Sequence, residues 1–205
     1  MTGDEIPVVL LHGLGRTPGS MRALAWRLGR AGFRTSCLGY PSTELRVGEA
    51  IGHVRAALAR QPGPRYLVGH SLGGLIAATL LREDTLPIGR VVQLGAPNLG
   101  SPVAGRLGGQ WPVRGMCGPA IEELDAHETV PEDDPRIAAI AGTFGPPMPG
   151  SPERPHDGAV SRRSAWAGAG HRAEVAVIHT LLPISVKVAT LTLTFLKTGT
   201  LREVS

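Results

Sequence analysis

Apolar positions along this chain alternate between short unbroken runs and longer stretches in which they recur at helical spacing. The run PVVLL at 7–11 has no polar interruption and stops at His12-Gly13, as a strand buried on both faces should. In the following GSMRALAWRLGRAGF, Met21, Leu24, Ala25 and Leu28 make one helical stripe, and Gly32 stands where a helix stops. FRTSCLGY reads as a second strand closed by Gly39 and Pro41. Val47, Ala50, Ile51, Val54, Ala57 and Leu58 return to helical period, with Ser42 and Thr43 as candidate caps and Gln61-Pro62-Gly63-Pro64 as the stop. RYLV predicts a third strand, the stripe Leu72, Leu75, Ile76, Thr79 and Leu80 a third helix, and RVVQL at 90–94 a fourth strand.

Beyond these, residues 121–127 suit a short helix, RIAAIAG at 136–142 a fifth strand and AEVAVI at 173–178 a sixth. In the tail, Ile184, Val188, Leu191 and Phe195 fit a helix, whereas TLTLTF alternates like a strand. The helix is preferred because it would cover an otherwise bare sheet face. Short strands alternating with amphipathic helices predict an α/β fold, a parallel sheet of about six strands with helices on both faces. No internal repeat or interdomain linker interrupts it, so residues 1–205 are expected to form a single domain.

The pattern breaks between 95 and 119, a stretch rich in glycine and proline that also carries Leu99, Val103, Leu107, Trp111 and Met116. Loops of this length usually serve a site. A partial lid and a surface excursion tucked onto the core are both consistent with it.

Composition narrows the class. With 205 residues, 42% hydrophobic and 19% charged, the chain is long and apolar enough to bury a core and too weakly charged to be a disordered polymer. The net charge is +4, but aromatics are only 4% and no stretch interleaves them with arginines, so a nucleic-acid partner is not expected. Cys37 and Cys117 match no metal spacing; reduced structural thiols are the default, with a disulfide the alternative. MTGDEIPVVLLHG has no basic region ahead of a long apolar core, and the apolar stretch 181–196 is interrupted by Pro183 and Lys187. Neither a signal peptide nor stable membrane insertion is expected, which makes a cytoplasmic location the default.

Chemistry concentrates in YLVGHSLGGLIA, where Gly69 and Gly73 flank Ser71 at the point where strand becomes helix. A serine hydroxyl is un-ionised at neutral pH and needs a base. It also needs a backbone turn sharp enough to lift it clear of the sheet, and small residues on either side relieve the crowding of that turn. Ser71 as an ordinary helix cap would not call for both glycines. At a helix start, free backbone donors can stabilise a developing oxyanion. The N–H of Leu72 is one candidate donor, and the N–H of Leu14, in the Gly-rich loop LLHGLGRTPGS, is the other.

Of the seven histidines, His70 sits inside the turn and cannot swing back to its neighbour. His53 lies on a predicted helix, His127 in a charged segment, and His12 suits a structural role in the loop after the first strand. His179 follows the sixth strand and should emerge at the carboxyl edge of the sheet with Ser71, making it the candidate base. Asp157, in RPHDGAV, follows the fifth strand at the same edge and is the candidate acid, although Asp-Gly is also a common turn pair. Asp133 and Asp134 are rivals expected at the opposite edge.

With those residues placed, the sequence resembles the α/β-hydrolase superfamily, specifically its small lipase-like esterases. The matching pieces, in family order, are VVLLHGLG, YLVGHSLGG, VVQLGAPNLGS, IAAIAGTF, HDGAVSRRSAW and VAVIHTLL, spanning 7 to about 182. The first two are common across the superfamily; GAPNLGS and the pattern around Asp157 are more specific to lipase-like members. The resemblance implies a serine hydrolase of carboxylic esters without metal or organic cofactor, acting on a small-molecule or lipid-like ester. It implies Ser71, Asp157 and His179 as nucleophile, acid and base, in that chain order, with Leu14 and Leu72 as oxyanion donors. Two strands usual at the N-terminus of larger relatives are missing and no large cap domain is visible, so a minimal version of the fold without lid-dependent activation is expected. Acyl transfer, thioester or amide cleavage through the same residues, and a non-catalytic binding protein on the same fold, are the alternatives.

Overall fold

A computed structural model describes residues 6–61, 63–101, 118–124, 131–146 and 151–201. Six strands form one all-parallel sheet: β1 (Val8–Leu11), β2 (Thr35–Leu38), β3 (Arg65–His70), β4 (Ile88–Leu94), β5 (Asp134–Gly142) and β6 (Ala169–Val175), in the order β2-β1-β3-β4-β5-β6. Between them run α1 (Arg22–Arg30), α2 (Val47–Ala59), α3 (Leu72–Arg82), the short α4 (Ala120–Glu123) and α5 (Arg162–Trp166), and α6 (Val186–Thr198) closes the chain. Turns of 3-10 helix, Pro18–Met21 and His179–Ile184, lead into α1 and α6. The fold class expected from the sequence is the one observed.

Because strand side chains alternate between faces, each central strand feeds two cores. Val8, Leu10, Val68, Val92, Leu94 and Ile140 pack with Leu24 and Leu28 of α1 and with Val188 and Phe195 of α6. Val9, Leu11, Leu67, Val91 and Ile137 pack on the other side with Val54 and Leu58 of α2 and with Ile76 and Leu80 of α3. The tail is therefore helical for the expected reason. Its threonines also fit a helix: Thr190, Thr194 and Thr198, one turn apart on the exposed side, donate their hydroxyls to the carbonyls of Val186, Thr190 and Thr194. Ser185 caps its start by accepting from the N–H of Val188, and Gly199, at φ 76°, ends it in the left-handed conformation.

Several strands run a few residues beyond their expected bounds, β4 from Ile88 and β5 from Asp134 among them, and two elements differ more. β6 covers Ala169–Val175 instead of 173–178. It is an edge strand, paired with β5 alone, so its residues alternate between half-buried and exposed and include His171, Arg172 and Glu174. Of the apolar VAVI only Val175 stays in the ladder; the rest leaves it in a turn in which the N–H of Val177 donates to the carbonyl of Val175. α5 lies in a segment where no helix was expected; its five residues are too few for a periodic signal, and a Ser161 cap, accepting from the N–H of Ser164, sets it. The predicted helix at 121–127 begins as α4, while its second half, most of the 95–119 stretch and Cys117 lie outside the described residues. No described helix is long and apolar enough to cross a membrane.

The strand order places the first reversal of direction between β1 and β3. From β1 the chain winds outward to β2, then returns past β1 to build β3 to β6 on the other side. Loops leaving the carboxyl ends of β1 and β3 diverge to opposite faces there, and the crevice between them is where open parallel sheets collect their sites.

Candidate functional site

Leu11 pairs with Gly69 in the β1–β3 ladder, so the loop beginning at His12 runs beside the turn that ends β3. That turn holds Ser71 at φ 53° and ψ −122°, a positive-φ conformation outside the left-handed helical well that a residue with a side chain adopts only when its surroundings enforce it. The enforcing geometry is local. A Cβ at Gly69 would run into the carbonyl of Gly73 and the nitrogen of Gly74, and a Cβ at Gly73 would meet the carbonyl oxygens of His12 and Leu11 at 2.5 and 2.6 Å. Both glycines are thus required by close backbone approach, and the turn delivers Ser71, half-buried, to the start of α3. Its N–H donates to the carbonyl of Leu94 at 2.9 Å, which ties the turn to the end of β4.

The loop after β1 comes up against the same serine: a Cβ on Gly13 would lie 3.1 Å from that of Ser71. His12 braces this loop from below. It is buried, its Nδ1–H donates to the carbonyl of Gly13 at 2.9 Å, its Nε2 accepts from the N–H of Tyr40 at 3.4 Å, and its ring stacks on Tyr40 with centroids 4.4 Å apart. Burial lowers the His12 pKa, against the backbone hydrogen bonds, which raise it. Among the described residues, no turn, loop or cap hydrogen bond takes up the N–H of Leu14 or Leu72. Leu72 is the first residue of α3, where an N–H has no partner within the helix.

From the other side of the switch point, β5 and β6 bring Asp157 and His179 together. Asp157 Oδ2 accepts from His179 Nδ1–H at 2.7 Å, and its main-chain carbonyl accepts from the N–H of His179 at 2.9 Å. The carboxylate's other oxygen, Oδ1, accepts from the N–H groups of Ala159 and Val160 at 2.9 and 2.8 Å. Both oxygens of this buried side chain therefore accept hydrogen bonds, as burial of a polar group demands. With the Nδ1 proton held by Asp157, the tautomer left to His179 has a free lone pair on Nε2. The His179 ring reaches Gly95, the residue just past β4: a Cβ there would lie 2.9 Å from Asp157 Oδ2 and 3.1 Å from His179 Nδ1. Gly95 adjoins Leu94, the last residue of β4 and the one that receives the Ser71 N–H, so the pair lies just beyond the end of the strand that anchors the serine turn.

The rivals lie elsewhere. Asp134 opens β5 at the amino edge of the sheet and pairs with Arg136 at 2.8 Å, while Asp133 pairs with Arg172 at 2.5 Å. His53 is exposed on α2, and His127 is outside the described residues. Among the described residues no group of three or more His, Cys, Asp or Glu side chains is arranged to hold a metal ion.

One part of the site was not anticipated. GAPNLGS builds a buried polar knot. Gln93 and Asn98 exchange two side-chain hydrogen bonds of 2.9 Å each, and Gln93 also donates to the carbonyl of Gly74 in α3. Asn98 donates in addition to the carbonyls of Ala165 and Ala167, at 3.2 and 3.0 Å. Ser164 accepts from the N–H of Leu99 and donates to the carbonyl of Gly100, and Ser101 donates to the carbonyl of Ala159. The knot clamps the segment that follows Asp157 to the ends of β4 and α3.

Comparison with known proteins agrees with this architecture. The model of the alpha/beta hydrolase family matches residues 8–194. No curated protein matches the sequence closely enough to report. Among solved structures, the chain is similar to the mature form of the Bacillus licheniformis lipase BlEst2, with a TM-score of 0.61 and 19% identity over 94% of this chain and 89% of that one. It is similar to a structure described under LipS and LipT, metagenome-derived lipolytic enzymes (TM-score 0.61, 16% identity, 96% and 95% covered). It is also similar to the pyrethroid hydrolase PytH (TM-score 0.57, 14% identity, 94% and 98% covered). At these identities the likeness is one of fold. The six-stranded parallel sheet, the serine turn after β3 and a family match over nearly the whole chain lead to one conclusion: the chain belongs to the alpha/beta hydrolase family.

Proposed function

We propose that this chain is a serine hydrolase of carboxylic esters, with Ser71 as nucleophile, His179 as base, Asp157 as the acid that orients it, and the N–H groups of Leu14 and Leu72 as oxyanion donors. The observation that carries the reading is the strained, positive-φ Ser71 at the switch point, with a buried, hydrogen-bonded Asp157–His179 pair at the same edge of the sheet. A structural cap would not need such a backbone, and a surface histidine would not need a carboxylate with both oxygens occupied.

In the proposed cycle His179 Nε2 removes the Ser71 hydroxyl proton as Oγ bonds to the ester carbonyl carbon. The carbonyl oxygen becomes an oxyanion facing the two free N–H groups, where each donor contributes on the order of 10²–10³ in rate. Asp157 stabilises the imidazolium and keeps its proton on Nδ1. Collapse breaks the bond to the alcohol oxygen, which takes the proton from His179 Nε2. Water, deprotonated by the same nitrogen, then cleaves the acyl-Ser71 ester, and acid and enzyme are released. No cofactor enters any of these steps. Thioester or amide cleavage and transfer to another alcohol would pass through the same acyl-enzyme, and product analysis with a competing alcohol separates them from hydrolysis. The proteins of similar fold are described as lipolytic enzymes and a pyrethroid hydrolase, which supports a small-molecule or lipid-like ester as the substrate.

The test is a panel of p-nitrophenyl esters of increasing acyl length, run on the wild type and on Ser71→Ala. The wild type should turn over at least one member and the variant none above background. Turnover retained by a folded Ser71→Ala protein would remove the assignment.

A further inference from the structure

His70 has no part in the cycle above, and its position is unusual for a residue without one. It is buried to 2% exposure inside the serine turn. Its Nε2 lies 3.0 Å from the main-chain carbonyl oxygen of His179, a residue 109 positions away, and the two imidazole rings stand 4.7 Å apart. A carbonyl can only accept, so Nε2 carries the proton and Nδ1 is the bare nitrogen. That Nδ1 is buried with no hydrogen-bond partner and faces Gly13, whose Cβ, if it had one, would lie 3.0 Å from it. A ring lodged between the oxyanion loop and the His179 loop, with one nitrogen left unsatisfied, carries a desolvation cost that an apolar side chain would avoid.

We propose that His70 is a positioning residue, a strut whose Nε2–H grips the His179 carbonyl and sets the distance between base and nucleophile. This deepens the reading of Ser71 and His179 given above and rests on it. His70 is bonded directly to Ser71 in the chain, so the connection from nucleophile to base runs through one peptide link and one hydrogen bond. His179 is then held on two sides: its N–H and ring Nδ1–H by Asp157, its carbonyl by His70. Misplacing a reacting group by about 1 Å costs on the order of 10²-fold in rate, so a tie of this kind matters to turnover more than to substrate binding.

The strut has to stay neutral to leave Nδ1 bare. Burial is the main cause that lowers the His70 pKa, and the neighbouring His179, Arg16 and His12 push it the same way, against the hydrogen bond to His179. It therefore stays neutral where His179 cycles its proton, and it neither competes as a base nor repels the imidazolium.

The experiment compares His70→Gln, whose amide nitrogen can reach the same carbonyl, with His70→Met, which fills the space without a donor. Urea melts confirm folding of both. His70→Met should lose roughly ten- to hundredfold in kcat with KM little changed, and His70→Gln should recover most of that loss. The low-field proton resonance of the His179–Asp157 bond should exchange faster with water in His70→Met alone. Equal kcat in folded His70→Met and wild type, or a His70→Gln protein as slow as His70→Met, would overturn the strut. If His70→Met does not fold, His70→Gln with His70→Asn, whose shorter amide cannot reach the carbonyl, makes the same comparison. The resonance also separates the two claims: a change in it with Ser71→Ala still active would sink the nucleophile and leave the strut.

Discussion

At the scale of single residues, Asp157 carries the heaviest demand. Its carboxylate is buried and accepts from three donors, so an isosteric amide tests orientation without opening a cavity. In Asp157→Asn the amide must turn its NH₂ toward either His179 or the N–H groups of Ala159 and Val160. Either choice sets donor against donor or puts the wrong tautomer on His179. Ester turnover should fall on the order of 10³–10⁴-fold with little change in KM. A change at Asp133 or Asp134, at the other edge of the sheet, should leave kcat/KM near wild type. Steady-state kinetics on the three variants decide it, and the opposite ranking would move the acid elsewhere.

Much of this geometry was legible in the residues themselves. Gly69 and Gly73 announce the serine turn because backbone collisions, not side-chain preferences, dictate them. Asp157 and His179 follow strands that end at the same edge, so their meeting follows from topology. The role of His70 was not legible. It depends on contact with a main-chain atom 109 residues away, and no spacing encodes that.

Among elements, the polar knot of GAPNLGS ties the end of β4 to the start of α3 and to α5 with its exit, much further along the chain. Removing one partner strands the rest in a dry environment. Asn98→Ala should therefore destabilise the fold by about 1–3 kcal/mol for each polar group left unpaired, read as a lower urea midpoint at unchanged slope. Activity should fall before global unfolding, because the freed segment is continuous with Ala159 and Val160, whose N–H groups hold Asp157. Unchanged urea stability would show that the knot is not structural.

Elements also differ in how far their sequences betray them. The central strands are apolar on both faces and their positions were readable. β6 was expected to start four residues too late because an edge strand keeps polar residues on its exposed positions, whereas the apolar VAVI that looked like the strand is, after Val175, the exit turn toward His179. The Gln93–Asn98 knot left no periodic trace, since most of its partners are carbonyls that any residue supplies.

For the molecule as a whole, two buried neutral histidines tie stability to pH. Burial lowers the pKa of both His12 and His70 below the ordinary value of 6.5. Below that value the unfolded chain binds protons that the fold refuses, so folding stability should be full above about pH 7 and fall as the pH drops. Each group can contribute a slope of up to about 1.4 kcal/mol per pH unit. Urea melts from pH 7.5 down to pH 5 should show the loss, and His70→Gln, which has nothing to titrate, should show a shallower one. Equal slopes in the two proteins would mean that His70 binds protons as readily in the fold as in the unfolded chain.

The whole account turns on one side chain being reactive because of two others. A p-nitrophenyl alkylphosphonate mimics the tetrahedral adduct, and mass spectrometry of the labelled protein locates the bond it forms. The account predicts a single adduct on the peptide containing Ser71 in the wild type, none in Ser71→Ala, and much slower labelling in His179→Ala. An adduct on another residue, or labelling of Ser71 at an undiminished rate without His179, would contradict it.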